Sequence, residues 1–280
     1  MTNKQRTVMQ VVRGTQTSDG AGVRLTRVIG GAVLPDLDPF LLLDEFGSDS
    51  PDDYIAGFPN HPHRGFETVT YMLDGRMRHG DNQGNSGLLG PGSVQWMTAG
   101  RGIVHSEMPE QEEGLMRGFQ LWVNLPASDK MTEPRYQDIE AANIPEVELE
   151  AGVRVRVLSG QFGDVAGPVA GVAVRPSYFD IELPPNVSVT PELPEDHTAF
   201  LYVFEGSAVV GETEERVQQH ELAVLGDGSE VTLTSGEDGA RMILVAGRPI
   251  GEPVARHGPF VMNTPEEIQQ AFADFAAGRF

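Results

Sequence analysis

Cysteine is absent from the 280 residues, which rules out disulfides, a thiol nucleophile and any thiolate metal site, and fits a reducing compartment. No apolar run approaches the roughly 20 residues that span a bilayer, so no membrane partner is expected. Met1 to Gly14 carries Lys4, Arg6 and Arg13 but no continuous apolar stretch. No secretory leader is therefore expected there, and a cytoplasmic location follows. Basic residues are scarce, 20 against 41 acidic ones, for a formal charge of −21. That surface repels a phosphate backbone and no basic stripe interrupts it, so direct nucleic-acid binding is not expected. The motifs of other chemistries are missing too. There is no G-x-S-x-G elbow, P-loop or G-x-G-x-x-G in a strand–turn–helix setting, and Gly84-Asn85-Ser86-Gly87 reads as a loop.

Turn formers are abundant instead. The 33 glycines and 20 prolines punctuate short apolar runs, as in a fold of many short strands. Thr68–Leu73 runs into the turn pair Asp74-Gly75, Ser93–Thr98 follows Gly90-Pro91-Gly92, and Phe119, Leu121, Val123 and Leu125 alternate as in a half-buried strand. The later half repeats the style in Ala199–Phe204, Ala208–Val210, Ala223–Leu225, Val231–Thr234 and Met242–Ala246. The expectation is an all-β fold, barrel or sandwich. One helix is signalled near the C-terminus: Thr264 as N-cap, Pro265 at the first helical position and Glu267 closing a capping box. Ile268, Ala271, Phe272 and Phe275 then recur at helical spacing, and Gly278 can end it.

A weak internal repeat pairs Tyr71–Gly75 with Tyr202–Gly206, and Leu89–Gly92 with Leu225–Gly228. Two similar barrels would explain both length and echo, divided in the polar, proline-containing stretch Pro126 to Pro145, which reads as a surface linker. The expected domains are 1–133 and 134–280.

The chemistry concentrates in two segments. His61-Pro62-His63 and His105-Ser106-Glu107 each place two metal-ligand types at i, i+2, and alternate residues of a strand share a face. Facing strands would bring three imidazoles and a carboxylate to one point, a set suited to iron, manganese, nickel, copper or zinc. Positions equivalent under the repeat are Glu192, Pro194, Arg241 and Ile243, which cannot rebuild that set. A metal is therefore expected in the first domain alone, with His197 and His220 structural or exposed. Trp96 and Trp122 read as packing residues, and Glu67 is a second carboxylate close to the HxH pair.

The run HPHRGFETVTYMLDG, with LLGPGSVQWMTAGRGIVHSEMP, GFQLWVNLP and the ending RHGPFVMNTPEEIQQAF, resembles the pirin family of the cupin superfamily. The resemblance implies a bicupin of two antiparallel β-barrels with a short C-terminal helix, and metal in the N-terminal barrel. It places the ligands at His61, His63, His105 and Glu107, favouring Glu107 over Glu67, which would support the site or pair with Arg64. It favours iron(II), with manganese, nickel, cobalt, copper and zinc as alternatives. The activity it implies is that of a quercetin 2,3-dioxygenase, an oxidoreductase acting on a small aromatic, enolic substrate and O2. Glu107 would double as the base for the substrate hydroxyl. The alternative it implies is a non-enzymatic, metal- and redox-dependent co-regulator whose protein partner is a transcription factor or metabolic enzyme.

Overall fold

The computed structural model describes residues 4–211 and 214–280. They form antiparallel strands and one α-helix, and no described helix is long and apolar enough to cross a membrane. The chain divides into two compact units. One, here the histidine unit, comprises Gln16–Gly31, Asp38–Ala141 and Ile250–Phe280; the other comprises the chain up to Thr15 together with Ala32–Leu37 and Ala142–Pro249. This partition interleaves the sequence where a single cut after residue 133 was expected. The reason lies in strand pairing and helix packing. Val8–Arg13 pairs with Glu221–Leu225, while the helix packs on the hairpin Ala255–His257/Phe260–Met262 of the histidine unit.

The histidine unit holds a seven-stranded and a four-stranded antiparallel sheet. In spatial order the larger runs Arg135–Ile139, Val94–Thr98, Phe66–Asp74, Met116–Asn124, Phe40–Ser48, Val23–Ile29 and Thr15–Asp19. The smaller runs Phe58–His63, Ile103–Pro109, Met77–Asp81 and Ser86–Leu89. The other unit is built on one nine-stranded sheet dominated by the long strands Thr198–Val210 and Leu233–Gly247. Its core is a continuous aliphatic cluster that includes Val157, Phe179, Leu201, Val203, Met242 and Leu244. The all-β architecture with a short C-terminal helix is as expected, and its sheets are open and jelly-roll-like where barrels were expected. The nine-stranded sheet is branched, with Ser188–Val189 and Glu215–Gln218 pairing off its main path.

The helix spans Pro265–Ala276 with its capping box in place: Glu267 N donates to Thr264 Oγ1 at 3.2 Å, and Thr264 N donates to Glu267 Oε2 at 2.9 Å. Ile268 and Ala271 are buried, while Phe272 and Phe275 remain partly exposed against Phe260. The stretch read as a linker is structured: Arg135–Ile139 pairs with Val94–Thr98, and Lys130 is 1% exposed.

Candidate metal centre

Two strands of the smaller sheet carry the predicted residues. Phe58–His63 contains Pro59 and Pro62, which a strand tolerates at a sheet edge, where it lies. It pairs with Ile103–Pro109 so that His105 faces His61 and Ile103 faces His63. Past His61 the register slips by one residue, so Glu107 sits opposite Phe58. This bulge over Pro59-Asn60 frees the Pro59 carbonyl, which accepts from His61 Nδ1 at 2.8 Å. That bond fixes the tautomer and leaves Nε2 available as a ligand atom.

The ring centroids of His61–His105, His61–His63 and His63–His105 are 4.4, 4.6 and 5.0 Å apart. One ligand atom from each ring lies within 4.8 Å of the others. Two donors at about 2.0–2.1 Å from one ion sit roughly 3–4 Å apart, so the trio is within reach of a single ion. His63 and His105 are 3% and 0% exposed. Burial holds both well below the ordinary histidine pKa, so they are neutral, the form a ligand requires. Neither ring nitrogen of His105 has a hydrogen-bond partner, nor has Nδ1 of His63. Buried orphan nitrogens converging on one point are what a divalent ion would satisfy. The residues fit the ion.

Glu107 is buried at 3% exposure and lines the same cavity, but it is not part of the group whose ligand atoms lie within 4.8 Å of one another. Thr70 Oγ1, from the facing sheet, lies 2.8 Å from Glu107 Oε1 and 2.7 Å from Gln120 Oε1, and Gln120 Nε2 is 3.5 Å from Glu107 Oε2. Glu67 lies elsewhere. On Phe66–Asp74, Phe66 packs on His63 and Thr70 reaches Glu107, so strand alternation turns Glu67 to the opposite face. There it accepts from Thr98 Oγ1 at 2.7 Å. Burial raises its pKa, and the Thr98 bond opposes the shift. The expected Glu67–Arg64 pair is not formed. Arg64 bonds Asp274 at 2.7 Å and the Arg101 carbonyl at 2.5 Å instead, because the turn at Gly65 points it toward the helix.

A cavity of about 530 Å³ opens on the centre. Its wall is apolar at Leu25, Leu42, Phe46 and Phe58, and aromatic at Trp122. Trp122 is thus a lining residue as well as a packing one, with Arg256 4.9 Å over its ring. Arg27 holds Asp44 at 2.9 and 2.7 Å and Asp19 at 2.7 Å. Those bonds raise the Arg27 pKa, while burial pushes Asp44 up against the pull of Arg27. Sequence reading missed Thr70, Gln120, Trp122 and Arg256. The alternation of Gln120 and Trp122 between apolar neighbours was a usable signal for two of them.

Comparison with known proteins places the geometry in context. The Pirin family model matches residues 22–123, and the Pirin C-terminal cupin domain model matches 178–280. A pirin-like protein of Caulobacter vibrioides is 54% identical over 276 residues, covering 98% of this chain and 99% of that protein. Human pirin is 44% identical over 268 residues, 94% and 90% of the two chains. The crystal structure of quercetin 2,3-dioxygenase from Acinetobacter baumannii superposes with a TM-score of 0.91 at 36% identity, covering 99% of each chain.

Proposed function

Because the chain belongs to the pirin family, we propose that it is a mononuclear-metal oxidoreductase with quercetin 2,3-dioxygenase-like activity. The observation that carries this reading is the meeting of His61, His63 and His105 beside a largely apolar cavity that Glu107 also lines. The solved dioxygenase that it resembles supplies the reaction class. We assign His61, His63, His105 and Glu107 as ligands of one divalent ion, iron(II) first among manganese, nickel, cobalt, copper and zinc.

Bound there, such an ion supplies Lewis acidity to a coordinated hydroxyl and a centre for dioxygen chemistry. The protein supplies the rest. Three neutral imidazoles and one carboxylate leave a divalent ion with a net positive charge, which favours an enolate oxygen over a neutral one. Glu107, its carboxylate steadied by Thr70, accepts the 3-hydroxyl proton of a flavonol. Leu25, Leu42 and Phe46 exclude water from the ring, and Trp122 with Arg256 forms a flat wall along which a planar substrate lies. In the overall reaction both atoms of O2 enter the products and one carbon leaves as carbon monoxide. The test is anaerobic reconstitution with iron(II), manganese(II), cobalt(II) or nickel(II), followed by quercetin and oxygen. Loss of flavonol absorbance with carbon monoxide release is the expected result; no loss with any of the metals sinks the reading.

A further inference from the structure

Lys130 is among the largest fully buried side chains of the molecule. Its Nζ donates to Gly65 O at 2.8 Å, Asn124 Oδ1 at 2.8 Å and Val261 O at 3.0 Å. An ammonium has three donors and no acceptor capacity, so its bonding is complete.

The three acceptors come from three separate segments, and each segment builds the candidate centre. Gly65 follows His63 by two residues. Asn124 ends the strand Met116–Asn124, whose Gln120 and Trp122 line the cavity. Val261 lies on the hairpin whose turn and first strand bring Gly258, Pro259 and Arg256 to the same cavity. Other bonds join the first and third segments at the same point. Val261 N donates to Arg64 O at 3.0 Å, and the Pro259 carbonyl lies against the His63 ring. The backbones approach so closely that a Cβ on Gly65 would meet Val261 O at 1.9 Å.

We propose that Lys130 is a positioning residue for the centre, its ammonium fixing the His63 segment, the Trp122 strand and the Arg256 hairpin to one another. Burial lowers the lysine pKa to about 8, with Glu252 and Glu267 acting against the shift, as expected of a cation retained for its donor geometry. A neutral amide offers two donors and a methionine none, so neither can hold three acceptors together. The proposal rests on His63 as a ligand, and the test separates the two ideas.

Lys130→Met is compared with wild type and with Leu121→Ala, a core change on the face of the Trp122 strand away from the cavity. Cobalt(II) binding and its visible spectrum are read for all three proteins. Hydrogen exchange over residues 58–66 and 255–262 is followed at equal distance below each melting temperature. The expected result is at least a tenfold weaker cobalt affinity with shifted bands, and at least tenfold faster exchange in both segments, for Lys130→Met alone. Equal behaviour of Lys130→Met and Leu121→Ala in both readouts overturns the proposal. If wild-type protein binds no cobalt, the ligand reading of His63 falls and exchange alone decides the clamp. Should Lys130→Met fail to fold, Lys130→Gln, which keeps two donors, takes its place against the same criteria.

Discussion

Replacing Glu107 and Glu67 by glutamine, one at a time, separates two buried carboxylates of similar exposure, 3% and 2%. Both substitutions conserve volume, so differences between them report chemistry more than packing. Glutamine at 107 replaces the carboxylate proposed as the fourth ligand and turns one oxygen into an amide. Replacing a partner that merely orients a ligand typically weakens metal binding about 10–100-fold, and loss of the charged ligand itself should exceed that range. Thr70→Val supplies the calibration, because Thr70 Oγ1 reaches Glu107 Oε1 at 2.8 Å. The expected order of lost affinity is Glu107→Gln beyond about 100-fold, Thr70→Val about 10-fold or more, and Glu67→Gln less than about threefold. Competition with a chromophoric chelator, using zinc(II) at fixed pH, measures all three, with circular dichroism as the folding control. If Glu67→Gln strips the metal while Glu107→Gln retains it, the alternation argument along Phe66–Asp74 is wrong and the carboxylate assignment reverses.

Glu67→Gln also has a pH signature. A carboxyl whose folded pKa is raised stabilises the fold below its unfolded value, and that contribution is lost as pH rises through the folded value. The stability of Glu67→Gln relative to wild type should therefore increase as pH climbs from about 4 and level off above the raised pKa. Denaturant melts across that range, flat within error, would contradict it. Gly65→Ala should cost at least about 2 kcal/mol, since alanine would have to hold φ +87° and crowd Val261 O; urea unfolding measures this. Arg256→Met, which removes the cation over Trp122, should raise the KM for a flavonol about tenfold with kcat changed less than threefold. Equal loss in kcat would instead place Arg256 in the chemical step.

What could be read from the sequence, and what could not, follows from how far each interaction reaches. The meeting of His61, His63 and His105 was legible because a strand has a period of two and the HxH pair lies within one strand. The capping box at Thr264 was legible for the same reason, since its partners are three residues apart. Which face Glu67 takes was not. Parity counted from His63 points it inward, yet the turn at Gly65, with φ +87°, resets the count before the next strand begins. Phe66 and Thr70 take the inward positions instead, and Glu67 is turned toward Thr98. Nothing in HPHRGFET announces this, because the turn is fixed by a backbone almost two hundred residues later in the chain, at Val261. Lys130 failed for a similar reason. A lysine after Ser128-Asp129 reads as a solvated loop, and only the arrival of the Gly65 and Val261 carbonyls from distant segments, beside the nearby Asn124 amide oxygen, makes its burial favourable. The proposed metal donors are thus encoded locally, while the surroundings that orient them are encoded by long-range pairing. Substitutions in those surroundings, at Gly65 or Lys130, should therefore disturb the centre although no short motif marks them.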